Sequence, residues 1–254
     1  GSARADAFVP VFLAAAAALQ SAGRGDDTLR RAAALLAEWD RRYTRENRRA
    51  VLFEDAMAAL PRLLLDELVP SSADSVDGPV AFPQEAVVLE LIADSSNAWW
   101  DDRHTAPVEG RNDILARALK VGLERALRDN GPPDSDGWLW SNAHHANINH
   151  VLRMPALSAL DLAVQGGPST LSPSPGRGTH GPSWRMTVEL GPRVRAWGTY
   201  PGGQSGNPAS RWYMDRVPKW TAGQADSLLF PARPDELPEA RVRARLTLSG
   251  APPQ

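Results

Sequence analysis

The sequence predicts an α+β fold, helices first and antiparallel strands last. Through about residue 130, apolar residues return at helical spacing. After Gly131, glycine and proline punctuate the chain, and apolar/polar alternation replaces the helical period. No self-similarity at solenoid or propeller period is visible, which removes the repeat architectures. The chain therefore divides into a mainly helical region, residues 1–130, and a loop-rich antiparallel β region, residues 131–254.

Residues 5–20 are alanine-rich and apolar, and Gly23 closes the segment. Asp26 or Asp27 can N-cap a helix over residues 28–40, where Leu29, Ala32, Ala33, Leu36 and Trp39 follow helical spacing. From 47 to 68, Val51, Phe53, Met57, Leu60, Leu64 and Leu68 keep the period, with Pro61 placed to bend or break it. Residues 71–79 read as a linker or surface loop. Helices are predicted again at 84–93 and 112–129, and Asn130-Gly131-Pro132-Pro133 is a stop signal. Pro168, Pro173, Pro175 and Gly176 make residues 166–178 a long exposed loop. Strands are predicted at 184–190, 193–199 and 241–248, paired as a meander. Trp184, Met186, Val188 and Leu190 alternate with polar residues in the first of these, as do Val242, Ala244, Leu246 and Leu248 in the last. Each has one apolar face, so the chain by itself is expected to present apolar surface.

With 254 residues and 43% hydrophobic content, the chain suits one large domain or two small ones. A net charge of −2 provides no global field for nucleic acid or an anionic membrane. Arg41, Arg42, Arg45, Arg48 and Arg49 are interspersed with Glu38, Asp40, Glu46, Glu54 and Asp55, which reads as a solvated helical face rather than an RNA-binding patch. The absence of cysteine excludes disulfides, thiolate chemistry and cysteine zinc sites. The apolar run at 8–19 is short for a membrane span and lacks the basic flank of a signal peptide. Abrupt entry into a core-like helix predicts a start in the middle of a larger polypeptide.

Two clusters invite chemistry. His144, His145 and His150 lie close in sequence to Trp138 and Trp140, but His-Glu-x-x-His is absent and an extended backbone points His145 away from the other two. Buried histidines bridging backbone groups are the expectation. Gly202-Gly203-Gln204-Ser205-Gly206-Asn207 resembles an anion-binding nest, yet no Walker lysine follows and Pro208 interrupts any helix. The serine also fails the Gly-x-Ser-x-Gly pattern of a nucleophile elbow. The loop is read as structural, with a position at φ > 0 and with Gly203 and Gly206 both sterically demanding.

Several stretches, in this order, carry a resemblance. They are Leu35, Leu36, Trp39 and Asp40; residues 99–119 with Trp100-Asp101-Asp102 and Thr105; residues 138–150 with Trp140, His144 and His150; residues 180–191; residues 201–223 with Tyr213, Asp215 and Trp220; and a terminal strand at 241–248. In order and spacing the chain resembles the C-terminal part of the β-subunit of the penicillin acylase (penicillin amidase) family of N-terminal-nucleophile hydrolases. The resemblance implies an αββα sandwich, completed by an upstream segment packed in one domain with this chain. It implies hydrolysis of an N-acyl amide, whether a β-lactam side chain, an acyl-homoserine lactone or a lipopeptide. The family's nucleophilic serine, its nearby histidine, the oxyanion-hole asparagine and the calcium-binding aspartates would all precede Gly1. No catalytic, cofactor or metal residue is therefore assigned on this chain, and a structural calcium belongs to the complete enzyme. The implied partners are the remainder of the β-subunit, an α-subunit from the same precursor and the small substrate, with no nucleic acid or membrane, in a periplasmic or secreted setting. Ser96-Asn97-Ala98-Trp99 copies the family's nucleophile tetrapeptide but stands where a later segment belongs, so it is read as coincidence, with Trp99 and Trp100 buried as an anchor. A non-catalytic binding or assembly module keeping the same scaffold is the alternative.

Overall fold

A computed structural model describes residues 1–66, 85–174 and 180–242, together with residues 244, 246, 248 and 250. The linker expected at 71–79 lies outside the described residues. Helices form where the period and the caps predict them. Ser2 caps α1 (Ala3–Ser21), its Oγ accepting the Ala5 N–H at 3.3 Å. Asp26 caps α2 (Asp27–Ala37) through the Leu29 N–H at 2.8 Å. The side chain of Asn47 accepts from Arg49 and Ala50 at the start of α3 (Ala50–Leu64). Pro61 sits in the last turn of α3, so the helix runs past it but ends at Leu64 rather than at 68. α4 (Glu85–Ala93) and α5 (Arg111–Asn130) follow, and Gly131 closes α5 at φ 74°.

α3 is the central helix. Leu52, Phe53, Ala56, Leu60 and Leu64 are buried, and so are the carboxylates of Glu54 and Asp55. α5 packs along it at backbone distance, because a Cβ built on Gly122 would lie 2.7 Å from the Ala56 nitrogen and 2.9 Å from its Cα. The Glu54 charge is answered by Arg4 at 2.9 Å and by the Tyr43 hydroxyl, while Arg4 also reaches Glu85 at 3.2 Å. Burial and then the Glu54 charge push the Tyr43 phenol far above its ordinary range. α1 is longer than the apolar run suggested, and by length and composition it could cross a membrane. Here Phe8, Val9, Phe12, Ala15 and Ala16 of α1 pack in the helical core.

The arginine-rich stretch corrects one expectation, because α2 stops at Ala37 and residues 41–49 form a connector, not a helical face. Its charges are tied to neighbouring elements: Arg41 to Asp6, Arg48 to Asp136, and Arg49 to Glu38 and Asp134. Trp39, Tyr43 and Trp140 form a chain of ring contacts with centroids 5.2 and 5.0 Å apart. The Trp140 indole N–H donates to the Gly166 carbonyl at 2.8 Å, and the Gly166 N–H donates to the Tyr43 carbonyl at 2.9 Å. This seam joins the helical core to the second half of the chain.

The second half begins with the short α6 (Trp140–Ala143) and holds two antiparallel sheets among the described residues. β1 (His145–Ile148) pairs with β2 (Ala159–Ala163), a hairpin the sequence reading did not separate from the loops. β3 (Arg185–Glu189) pairs in register with β4 (Arg195–Thr199), as the alternation predicts. The third strand of this sheet is β5 (Asp226–Leu228), not 241–248. A short helix, α7 (Val217–Thr221), and Gly223 at φ 71° return the chain alongside β4, whose two edges are then both occupied. Residues 239–241 form a 3-10 turn, Val242, Ala244, Leu246 and Leu248 carry no ladder, and Arg243, Arg245 and Thr247 lie outside the described residues. Alternation specifies a face, whereas a strand also needs a free edge to pair with. A small core of Ala146, Val164 and Trp220 lies under this half. The fold is α+β, as predicted.

The Gly122 contact generates a prediction. Gly→Ala in a helix interior gains up to about 1 kcal/mol of propensity, while forcing a methyl against the α3 backbone costs roughly 1–3 kcal/mol. Gly122→Ala should therefore lower the urea midpoint of the chain, and Gly122→Val should lower it further. A stabilised alanine variant would show that α3 and α5 are free to separate.

Candidate functional site

The glycine-rich loop folds back on the segment that follows it. Gly202 adopts φ 84°, and its carbonyl accepts the Arg216 N–H at 2.9 Å. Gly203 has no room for a side chain, since a Cβ would lie 2.1 Å from the Trp212 carbonyl oxygen and 2.5 Å from that of Tyr213. The Ser205 N–H donates to Trp212 at 3.2 Å, and the Tyr213 hydroxyl donates to the Leu157 carbonyl at 2.9 Å. Gly206 departs from the expectation: its Cβ position is open and its φ is not in the left-handed region, so it is not demanding.

Beside this loop a cavity of about 290 Å³ opens, lined in part by Trp184, Thr199, Tyr200, Gln204, Arg216 and Asp226. Trp184 and Tyr200 stack with ring centroids 6.3 Å apart. Arg216 and Lys219 both pair with Asp226, and the Lys219 hydrogen bond, helped by the Arg216 charge, holds that carboxyl below its usual range. The hydroxyls of Thr199 and Tyr200 are buried with no hydrogen-bond partner among the described residues. Buried hydroxyls normally find partners, and these two do not. The cavity itself is built together by Trp184 just ahead of β3, by β4 and β5 and by the loop.

The histidines do not converge. His144 is buried against Trp140, rings stacked at 4.7 Å, while the His150 backbone N–H bonds Ser158. His144 Nε2 lies 2.7 Å from Ser174 Oγ, which in turn donates to the His180 carbonyl at 2.7 Å. Because the serine has one proton and gives it to that carbonyl, His144 donates from Nε2 and its Nδ1 is bare. Nδ1 is buried with no partner among the described residues, so this Ser-His pair lacks the carboxylate of a triad. The expected bridging histidine is present, through a hydroxyl. Burial, then the neighbouring His145 and His180, push its pKa down to about 4.

Ser96 lies exposed in a turn, its Oγ donating to Asp94 at 2.7 Å. Only one of the two adjacent tryptophans buries: Trp100 is enclosed and bonds the Asp94 carbonyl at 2.8 Å, whereas Trp99 stays 36% exposed. A cluster that sequence reasoning missed lies nearby, where Asp66, Asp102 and His104 bring ligand-type atoms within 4.8 Å of one another. Asp102 and His104 were visible as neighbours, but nothing local signals Asp66.

The family model described as penicillin amidase matches residues 1–235. The chain belongs to the penicillin amidase family. Among curated relatives, the acyl-homoserine lactone acylase QuiP of Pseudomonas putida is 31% identical over 236 residues, covering 87% of this chain and 28% of that protein. The protein of the same name from Pseudomonas aeruginosa is 29% identical over 221 residues, 75% of this chain and 25% of that one. A third, from Pseudomonas fluorescens strain Pf0-1, is 26% identical over 200 residues. The chain thus spans 24% to 28% of the length of these relatives. The family match covers the loop, the cavity lining up to Leu228 and the Trp140-His144 stack.

Two predictions come from this region. Gly203→Ala should cost roughly 1–3 kcal/mol, while Gly206→Ala should stay within about 0.5 kcal/mol, measured by denaturant melts. Equal costs would contradict the packing of Gly203 on the 212–213 carbonyls. The second concerns pH. Above 6.5, the ordinary histidine value, His144 is neutral in both states; as pH falls from 6.5 toward 4 the unfolded chain takes up a proton that the folded chain refuses. Its contribution to stability is therefore lost across that window and levels off below it. His144→Gln should flatten the fall in urea midpoint between about pH 7 and pH 4. An unchanged slope would assign the acid sensitivity to other groups.

Proposed function

We propose that this chain is the C-terminal part of the β-subunit of an N-acyl amide hydrolase whose nucleophilic serine lies on a segment outside it. One observation carries the reading: 87% of the chain aligns with only 28% of an acyl-homoserine lactone acylase, so the chain corresponds to a fraction of such an enzyme. In the complete enzyme as proposed, an N-terminal serine oxygen would attack the acyl carbon, and the serine's own amine would take the hydroxyl proton and pass it to the leaving amine. Water would then release the acid. The names of the relatives favour an acyl-homoserine lactone as substrate over a β-lactam side chain or a lipopeptide.

The geometry supports a supporting role for the residues described. The Ser174–His144 pair is buried and has no carboxylate among the described residues, and Ser96 stands in a solvent-exposed turn where the carboxylate that accepts its proton, Asp94, is itself exposed. The cavity at Trp184 and Tyr200 would form part of the wall behind the acyl chain. The remainder of the β-subunit and an α-subunit would cover the outer face of β3, where Trp184, Met186 and Val188 are 46%, 57% and 40% exposed. They would also complete the αββα sandwich, since the described sheets have two and three strands. A structural calcium and a periplasmic or secreted location go with the same reading.

The test compares the isolated chain with a longer polypeptide that contains it and begins its β-subunit with serine. Release of homoserine lactone from N-acyl-homoserine lactones is followed by mass spectrometry. The isolated chain should show no turnover, and the longer polypeptide should show it. Turnover by the isolated chain that vanishes on Ser174→Ala or Ser96→Ala would place the chemistry here and overturn the proposal.

A further inference from the structure

Just beyond α3, Asp66 lies against the loop that carries Asp102 and His104. The Asp66 and Asp102 side chains are only 7% and 6% exposed, while His104, at 44%, opens the cluster to solvent. His104 Nδ1 stands 3.4 Å from Asp66 Oδ2 and 3.4 Å from Asp102 Oδ1. That is long for a hydrogen bond but ordinary between two ligands of one ion. Atoms bound about 2.0–2.3 Å from a common metal stand at most roughly 4.6 Å apart, and the cluster's ligand-type atoms lie within 4.8 Å of one another.

The surroundings hold these groups in a ligating posture. Arg117 takes the outer oxygen of Asp102, Oδ2, at 2.5 Å, and the His104 N–H fixes Oδ1 at 3.0 Å. The Arg103 N–H binds Asp66 Oδ2 at 2.9 Å. Glu109 accepts the Asp102 N–H at 3.3 Å and the Thr105 hydroxyl at 2.6 Å, which stiffens the loop. Independently of the clustering, Asp66 Oδ1 is buried and has no hydrogen-bond partner among the described residues. A buried carboxylate oxygen without a donor is costly, and a cation is the species that answers it.

We infer that Asp66, Asp102 and His104 form a site for a divalent transition-metal ion of the zinc class, with water in the remaining positions. The imidazole decides the class, since calcium and magnesium take oxygen ligands whereas zinc takes nitrogen and carboxylate together. Bound there, the ion would tie Asp66, just beyond the end of α3, to the loop before α5.

Zinc chloride is titrated calorimetrically into the untagged full chain in a non-chelating buffer near neutral pH, with unfolding midpoints recorded alongside. The expected result is one equivalent of zinc bound and a raised midpoint, with calcium chloride giving neither. His104→Ala, at an exposed position, and the isosteric Asp66→Asn should each weaken zinc binding about tenfold or more, whereas His150→Ala should leave it unchanged. No zinc binding, binding that survives both cluster substitutions, or binding lost with His150 would overturn the inference. Calcium binding at the cluster would overturn the metal class.

Discussion

A carboxylate inside a helical core must be neutralised where it stands, and Glu54 imposes that requirement on much of the first half. It lies on α3, which is surrounded, so no rotamer carries its charge to water. Arg4 of α1 and Tyr43 of the connector converge on it, and Arg4 extends the link to Glu85 at the start of α4. Leaving such a charge without its partner costs about 3–5 kcal/mol, more than one apolar contact returns. Four segments distant in sequence are therefore fixed in relative position by one buried charge. Gly122 adds a steric requirement to the electrostatic one, because it sets how near α5 can come to the same helix.

The second half has little core of its own, and it is held by different means. Its buried cluster is small, and its sheets have two and three strands. Order comes from side chains that satisfy loop backbone. The Trp140 indole holds Gly166, the Trp220 indole holds the Pro182 carbonyl at 2.9 Å, and Arg185 holds the Trp220 carbonyl at 2.7 Å beneath its own cation–π contact. Loops rich in proline and glycine cannot supply a ladder, so tryptophan N–H groups and one arginine take that place. The glycine-rich loop and the cavity beside it are positioned by this scaffold.

How much of this was legible in the sequence depends on the range of the interaction. Caps and periods are local, and Asp26, Gly131 and the spacing of Leu29, Leu36 and Trp39 gave the helices to within a few residues. β3 and β4 were legible because they are adjacent and alternate. β5 was not, since its partnership with β4 depends on the turn at Gly223 and on α7, whereas the alternation at 241–248 was a face without an edge to pair with. The family could be read from ordered motifs. The site elements could not be read the same way. Gly203 differs from Gly206 only through the carbonyls of Trp212 and Tyr213, and Asp66 joins Asp102 and His104 only through the packing of α3 beside α5. Ser174 reaches His144 across a proline-rich loop whose composition predicts irregularity and nothing about its contacts.

The indole hydrogen bonds also decide what light emission from this molecule reports. Trp39, Trp100, Trp138, Trp140 and Trp220 are buried, and each gives its N–H to a backbone carbonyl, those of Arg42, Asp94, Gly131, Gly166 and Pro182. Their emission is governed by apolar walls and by single carbonyl dipoles that belong to turns and connectors, not to helix ladders. Because Trp39, Trp100, Trp138 and Trp140 also pack in the helical core, intrinsic fluorescence reports the joint between that core and the loops, while far-ultraviolet dichroism reports the helix ladders alone.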